Sequence, residues 1–212
     1  TVGRIWQYLS LAGENWGNLY NRGFCMDTDY SAYSDWKIKK FAGKVKKIVS
    51  ILTGIPVKDF EKAEIKEKVL GREWDLPFGI GIKNMSVREM LQKVGTDCMR
   101  RHLHPDVWIN ALFADYRLGV SVEEFGSQIV ETQDYPYWII TDVRFPNEAD
   151  RIKEHGGILI RIDRRDIPRM DHESETAMDD YHDWDYLIQN DGTIEELFES
   201  VEEVYNDYTN NR

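Results

Sequence analysis

Cysteine, proline and long apolar runs are all scarce in this chain of 212 residues, which has two cysteines and six prolines. The spacing of Cys25 and Cys98 matches no metal-binding motif. Two isolated cysteines favour free thiols in a reducing compartment, so we expect a cytoplasmic protein. No stretch approaches the roughly 18–20 apolar residues that cross a bilayer. No signal peptide is visible, and we expect no membrane partner.

Positive charge is the minority sign. The chain has 27 Lys and Arg residues against 38 Asp and Glu residues, and its net charge is −11. This charge repels a polyanion, so we expect no nucleic-acid polymer as a partner. It leaves room for a mononucleotide held by a few local arginines. The length suits one well-cored domain over residues 1–212.

The most informative stretch is residues 137–150, YWIITDVRFPNEAD. Its apolar start predicts a buried strand of a parallel sheet. Asp142, Arg144 and Glu148 follow the strand, and ligands of open α/β sheets bind beyond the carboxyl ends of strands. These residues suit a site for a metal-bound phosphate. A solvated turn followed by a helix cap accounts for them equally well.

The remaining pattern alternates helices with short strands. Apolar residues recur at helical spacing in five segments: residues 1–11, 36–53, 86–94, 106–117 and 193–208. A strand at 137–140, a helix at 147–154 and a strand at 158–162 would form a β-α-β unit with parallel strands. Residues 119–132 are amphipathic, and 184–189 predict a last short strand. We therefore expect an α/β fold with a mostly parallel sheet covered by helices.

A second group of candidate ligand-binding side chains lies on the third of these helices. Arg88 and Gln92 are four residues apart and share one face. We expect Gly95 and Thr96 to end the helix beside them. A guanidinium, an amide and a hydroxyl at a helix end would suit a phosphate and a base edge, or form an ordinary capped surface helix. Trp108 would stack on a base or pack in the core, and core packing is the favoured interpretation.

Basic residues cluster at two further places. An irregular segment at 163–171 follows a predicted strand and carries Arg164, Arg165 and Arg169. Such a segment suits a flap over phosphates, and a solvated charged loop is an equal alternative. The helix at 36–53 has a lysine-rich face, for which a solvated surface is the favoured interpretation. Its lysines are Lys37, Lys39, Lys40, Lys44, Lys46 and Lys47.

Six segments, in this order, resemble the deoxynucleoside monophosphate kinases of tailed bacteriophages, a branch of the P-loop kinase superfamily. They are VREMLQKVGTD (87–97), HPDVWINAL (104–112), WIITDVRFPNEAD (138–150), GGILIRI (156–162), HESE (172–175) and DYLIQNDGTIEEL (185–197). The resemblance covers residues 1 to about 205. It implies a P-loop kinase-like fold with a largely helical substrate-binding region at 36–132 and a small Arg-rich lid at 163–171.

The resemblance also implies which part of the family's fold the first residues of this chain form. In that family the phosphate-binding loop ends Gly-Lys-Asp-Thr and leads into the first helix. Residues 1–4, Thr-Val-Gly-Arg, are similar to the Thr of that motif and the helix after it. The first strand and the loop with its lysine would then precede Thr1. We expect phosphoryl transfer to require that upstream segment, because its backbone cradles the ATP phosphates.

Site roles follow from the resemblance, residue by residue. Thr1 and Asp142 would hold Mg²⁺, Arg144 would contact phosphate, and Glu148 would support the site. The lid arginines would close on ATP; they are Arg164, Arg165 and Arg169.

On the substrate side, Arg88 would bind the acceptor phosphate. Gln92 and Thr96 would contact the base or sugar, and Gly95 and Trp108 match the same part of the family pattern. The implied reaction uses ATP and Mg²⁺ to phosphorylate a deoxynucleoside 5′-monophosphate in the host cytoplasm. A glutamine amide can present either end, so Gln92 is compatible with several base edges. Symmetric homodimers are the commonest oligomers, and the sequence itself specifies no oligomeric state.

Two other classes of function stay open. One is a nucleotide-binding protein without turnover. The other is a Mg²⁺-dependent phosphohydrolase or nuclease built on Asp142 and Glu148, which would need more clustered carboxylates. Further acidic residues are numerous, but their spacing is typical of an acidic surface: Asp179, Asp180, Asp183 and Asp185.

Overall fold

The computed structural model describes residues 1–11, 23–78, 81–125, 128–165 and 173–211. The chain forms two compact units. The sheet unit contains Thr1–Lys39 and Tyr116–Arg212, and the helical unit contains Lys40–Asp115. Helices and short strands, some of them in parallel pairs, make up the described chain. The mixed α/β class is therefore confirmed.

The described α-helices are α1 (Val2–Ser10), α2 (Ala42–Thr53), α3 (Ala63–Lys66), α4 (Val87–Gln92), α5 (Val107–Phe113), α6 (Pro146–Glu154), α7 (Glu173–Thr176) and α8 (Ile194–Asn210). The described strands are β1 (Lys37–Lys39), β2 (Leu76–Phe78), β3 (Gly81–Lys83), β4 (Gly119–Phe125), β5 (Gln128–Asp134), β6 (Trp138–Ile140), β7 (Ile160–Asp163) and β8 (Tyr186–Gln189). Short 3₁₀ segments occur at Tyr30–Ala32, Val57–Glu61 and Arg72–Trp74.

The strands form two parallel and two antiparallel pairs in the described backbone. β1 pairs in parallel with β6, placing Ile38 opposite Ile139. β7 pairs in parallel with β8, placing Ile162 opposite Ile188. The pairs β2–β3 and β4–β5 are antiparallel. Short parallel pairs are thus present, and they provide strand ends at which a site can form.

The partners of the central strand differ from the prediction. The β-α-β interpretation paired residues 137–140 with 158–162, but in the described backbone β6 pairs with β1 and β7 pairs with β8. β1 lies where the sequence predicted the first turn of a helix. With Ile38 as its only apolar residue, this strand has no periodicity that would reveal it. Its pairing depends on the backbone, where the Lys37 N–H donates to Tyr137 O at 2.8 Å.

Residues 119–132, predicted only to be amphipathic, lie in the antiparallel hairpin of β4 and β5. Gly119 pairs with Asp134 and Phe125 with Gln128. Part of the region expected to be largely helical is therefore β structure. Apolar and polar residues alternate at 120–123, and three of the four residues at 129–132 are β-branched. Both features are typical of strands, and the sequence interpretation did not use them.

The core of the sheet unit lies between α1 and α8. Ile5, Leu9 and Val201 are buried, and so is Trp6. The Trp6 ring meets Tyr205 edge-on with 5.0 Å between ring centroids. Burying each large apolar side chain contributes roughly 1.5–3 kcal/mol. The amphipathic helices predicted near both ends of the sequence are thereby confirmed.

Two capping boxes are present. Ser86 Oγ accepts from the Glu89 N–H at 3.2 Å, and Glu89 Oε2 accepts from the Ser86 N–H at 2.9 Å. Thr193 and Glu196 make the equivalent pair at 3.2 and 2.7 Å. Each box satisfies two N–H groups that a helix start leaves unpaired. The starts of α4 and α8 are therefore fixed by local sequence.

The predicted end of α4 at Gly95 and Thr96 is wrong. The helix continues as a π-helix over Lys93–Arg100. A Cβ on Gly95 would lie 3.7 Å from Val45 Cγ1, so the glycine packs against α2. The Thr96 side chain is buried. Tertiary packing here outweighs the roughly 1 kcal/mol by which glycine disfavours a helix interior.

Cys25 and Cys98 are free thiols, and both are exposed. Within the described parts of the chain, every helix is too short or too polar to span a lipid bilayer.

Candidate active site

Polar residues follow β6 directly, at its carboxyl end. The Thr141 N–H donates to Lys39 O at 3.2 Å, so the parallel pairing extends one residue past the strand. Asp142 is partly buried beyond that point, and Arg144 is exposed. The strand pair thus presents a carboxylate and a guanidinium at the edge where ligands of α/β sheets bind.

Glu148 fixes the loop that carries Arg144. Its carboxylate is 2% exposed. Oε2 accepts hydrogen bonds from the backbone N–H of Arg144 at 2.7 Å and of Phe145 at 3.2 Å. Pro146 begins α6, where its missing N–H costs no hydrogen bond. In this geometry Glu148 acts on the loop backbone and sets the position of Arg144.

The first turn of α1 lies against the ends of β1 and β6. A Cβ on Gly3 would lie 3.3 Å from both Ile38 Cδ1 and Thr141 Cγ2. Glycine therefore permits the close approach of helix and strands. Thr1 precedes the helix, and its carbonyl accepts from the Arg4 N–H at 2.9 Å. The sheet unit thus brings the α1 N-terminus next to Thr141, the residue before Asp142.

In the helical unit, Arg88 is paired with a carboxylate that the sequence interpretation did not single out. Its Nε and Nη2 lie 2.7 and 2.6 Å from Glu67 Oε1. Gln92 lies one turn further along α4 and is partly buried. No sequence signal marked Glu67, because it precedes Arg88 by 21 residues. Their approach depends on the tertiary fold.

Trp108 is part of the packed interior of the helical unit. The side chain is 4% exposed, and its Nε1–H donates to Gly95 O at 2.7 Å. The indole therefore holds the π-helical turn that contains Gly95 and Thr96. Core packing, the interpretation favoured from sequence, agrees with this position.

The lid segment is described only in part. Arg164 and Arg165 are exposed, whereas Arg169 lies outside the described residues. Arg165 Nε lies 3.0 Å from Asp191 Oδ2, and the Arg165 N–H donates to Asp191 Oδ1 at 2.6 Å. This backbone hydrogen bond is the main cause of a pKa of Asp191 below its usual value. The lid role of these arginines stays a prediction.

The acidic surface near residues 179–185 takes part in structural contacts. Lys153 Nζ lies 3.2 Å from Asp183 and 3.0 Å from Asp185. Asp185 Oδ2 also accepts from the Leu159 N–H at 2.7 Å. Across the residues that the structure describes, no three His, Cys, Asp or Glu side chains are grouped as metal ligands. The carboxylates required by the hydrolase alternative are therefore not gathered in this part of the protein.

Comparison with known proteins identifies one family. The profile of the deoxynucleotide monophosphate kinase family matches residues 37–201. A provisionally named deoxynucleotide monophosphate kinase of Acanthamoeba polyphaga mimivirus is 37% identical over 118 residues, which cover 54% of this chain and 58% of that relative. The deoxynucleotide monophosphate kinase of Enterobacteria phage T4 is 29% identical over 116 residues, covering 55% of this chain and 44% of the relative.

The deoxynucleoside-5′-monophosphate kinase of Escherichia phage T5 is 28% identical over 102 residues, covering 44% of this chain and 35% of the relative. The chain thus spans about half the length of the curated relatives it matches. The family profile, in contrast, covers most of the chain. This chain belongs to the deoxynucleotide monophosphate kinase family.

Proposed function

We propose that the protein transfers the γ-phosphoryl group of ATP to a deoxynucleoside 5′-monophosphate, giving ADP and the deoxynucleoside diphosphate. One observation carries the proposal. The first turn of α1 packs beside Thr141, next to the Arg144 loop that Glu148 fixes. A helix N-terminus and an arginine at strand ends are suited to phosphate. Family membership supports the same class of reaction.

The residues at this edge fit a magnesium ion. Thr1 and Asp142 would supply a hydroxyl and a carboxylate, which are the hard oxygen ligands that Mg²⁺ takes. Mg²⁺ keeps several waters and needs few protein ligands, so a larger cluster of carboxylates is not required. When bound with ATP, the ion supplies neutralisation of the phosphate charge.

The acceptor is assigned to the helical unit. Arg88 would exchange Glu67 for the acceptor phosphate, because its planar guanidinium matches a phosphate as well as a carboxylate. Gln92 and Thr96 would contact the base or the sugar. Gly95 and Trp108 would keep the turn around Thr96 in place through their hydrogen bond.

The mechanism is in-line transfer to an acceptor that is already nucleophilic. The phosphate oxygen of the deoxynucleotide needs little proton removal, so catalysis consists of positioning and charge stabilisation. Arg144 would contact the transferred group, with Glu148 as the residue that positions it. Closure of the lid segment would exclude water and limit ATP hydrolysis. Arg165 would then exchange Asp191 for ATP phosphate.

The test is product formation by the purified protein. ATP, Mg²⁺ and each of dAMP, dCMP, dGMP and dTMP are supplied, and ADP, the diphosphate and inorganic phosphate are measured. Equal amounts of ADP and diphosphate support the proposal. Nucleotide binding without turnover supports a binding protein instead, and release of inorganic phosphate supports a hydrolase.

Two substitutions separate the roles. Arg88→Ala is expected to raise KM for the deoxynucleotide by roughly tenfold or more, the effect of losing a charge-assisted hydrogen bond. Arg144→Ala is expected mainly to lower kcat. Unchanged turnover in both variants would refute the assignment of these sites.

A further inference from the structure

A cationic cluster in the helical unit includes Arg88, and its lysines have no assigned role. It is built from segments that lie between residues 40 and 88 of the chain. Two carboxylates stand among its four cations: the cluster contains Lys40, Lys46, Lys66, Arg88, Glu61 and Glu67. In a protein with a net charge of −11, this local excess of positive charge is unusual.

One carboxylate serves two of the lysines. Glu61 Oε1 lies 2.7 Å from Lys46 Nζ and 3.1 Å from Lys40 Nζ. The Lys46 side chain is 12% exposed, so most of it is buried. Since Glu61 carries a single negative charge, it cannot neutralise both ammonium groups.

Lys66 adds a further cation to this arrangement. Among the described residues, its ammonium group forms neither a hydrogen bond nor an ion pair. Burial, followed by the charges of Lys46 and Arg88, holds the pKa of Lys66 below its usual value, and the Glu61 carboxylate partly opposes this shift. Like charges around a partly buried cation are unfavourable, and a further anion would stabilise the cluster.

The backbone holds Lys66 and Arg88 near each other. The segment after α3 runs antiparallel to the segment that enters α4, with Val69 bridged to Ser86. The Val87 N–H donates to Lys68 O at 2.9 Å, and the Leu70 N–H donates to Met85 O at 2.8 Å. These contacts hold the two backbone segments together before any ligand binds, and a preformed site reduces the entropic cost of binding.

We propose that Lys66, together with Lys46, completes the phosphate subsite at which Arg88 binds the acceptor nucleotide. The proposal rests on the proposed function. Glu61 and Glu67 act as internal counter-ions in the free protein, and the phosphate dianion takes over the charge of Lys66 and of Arg88. Two or more cations suit a dianion, for which one arginine alone leaves a negative charge uncompensated.

The test is titration of the protein with each of dAMP, dCMP, dGMP and dTMP and, separately, with the matching deoxynucleosides, which lack the phosphate. Lys66→Gln is expected to weaken binding of the monophosphate by roughly tenfold or more and to leave binding of the deoxynucleoside unchanged. KM for ATP is expected to stay the same. Lys66→Arg, which keeps the charge, is expected to recover a large part of the affinity.

Lys62→Gln is the matched control. Lys62 lies four residues before Lys66, is exposed, and already pairs with Asp59 at 2.9 Å, so its loss is expected to leave both affinities unchanged. Circular dichroism and the melting temperature verify that each variant folds.

The possible outcomes test the phosphate subsite and the proposed reaction independently. Equal monophosphate affinity in wild type and Lys66→Gln overturns the subsite, even if turnover is normal. A selective loss of monophosphate affinity without turnover in the wild type supports the subsite and overturns the proposed function. A wild type that binds no deoxynucleoside monophosphate overturns both.

Discussion

Oε2 of Glu148 lies 2.7 Å from the backbone nitrogen of Arg144, and this buried carboxylate connects α6 to the loop beyond β6. A carboxylate that accepts two backbone N–H bonds inside a protein is costly to replace, because the N–H groups then lose their partner. The relationship separates two roles at one site. Arg144 is the residue proposed to contact phosphate, and Glu148 holds the backbone of the loop that carries it.

We expect Glu148→Gln to destabilise the protein by about 1–3 kcal/mol, since a neutral amide is a weaker acceptor for two N–H groups. The kcat should fall more than the KM for either substrate changes. Urea unfolding and steady-state kinetics measure the two effects. Glu154→Gln on the exposed side of α6 is the control, and full kcat in Glu148→Gln would contradict the positioning role.

Gly3 offers a second test at the same edge. A Cβ there would lie 3.3 Å from Thr141 Cγ2, so the branched side chain of Gly3→Val must push α1 away from the strand ends. We expect a loss of about 1–3 kcal/mol in stability and a rise in KM for ATP, with little change for the deoxynucleotide. Thermal unfolding and steady-state kinetics measure these changes.

The control for this substitution is Gly43→Ala. A Cβ on Gly43, which lies in α2, would meet no atom within 4 Å. Alanine there is expected to be neutral or to stabilise by roughly 0.5–1 kcal/mol through its helix propensity. Unaltered ATP kinetics in Gly3→Val would show that the position of the α1 N-terminus does not affect ATP binding.

Sequence patterns predicted the elements whose signals are local. The capping boxes at Ser86 and Thr193 need only residues three positions apart, so the starts of α4 and α8 could be inferred. β1 could not be inferred, because a three-residue strand with one apolar residue is defined by its partner. The predicted pairing of the strands was wrong for the same reason, because periodicity identifies a strand but not its neighbour in the sheet.

The candidate site shows the same limit. Arg88 could be singled out from its motif, but its ion pair with Glu67 forms only through the tertiary fold. Gly95 was predicted to end a helix, since glycine disfavours helices locally, and the packing of Trp108 and Val45 determines the observed π-helix instead.

The hydrogen bond from Trp108 to Gly95 predicts a specific effect on the acceptor. Trp108→Phe keeps an aromatic ring and removes the N–H donor, so Gly95 O loses its partner. We expect a loss of about 1–2 kcal/mol in stability and a higher KM for the deoxynucleotide at an unchanged KM for ATP. Trp74→Phe is the control, because the indole of Trp74 forms no hydrogen bond in the described structure. Unaltered KM values in Trp108→Phe would refute the role of this turn.

The lowered pKa of Lys66 leads to a prediction of how the stability of the free protein depends on pH. Burial lowers its pKa in the folded state from the ordinary value of 10.5, and the charges of Lys46, Arg88 and Lys40 act in the same direction, whereas Glu61 opposes them. Between the two pKa values the unfolded chain binds more protons, so the contribution of Lys66 to stability rises with pH in that window. Below the folded pKa, both states are protonated and the native state retains the full repulsion.

We therefore expect Lys66→Gln to melt at a temperature equal to or higher than wild type at pH 7, by up to roughly 2 °C for a chain of this length. The difference should shrink as the pH rises towards 10.5, where wild type loses the charge. Melting temperatures of both proteins and of the Lys62→Gln control, measured from about pH 7 upwards without nucleotide, test this. A Lys66→Gln protein that melts well below wild type at pH 7 would show that Lys66 stabilises the fold, and the cluster would then be a structural one.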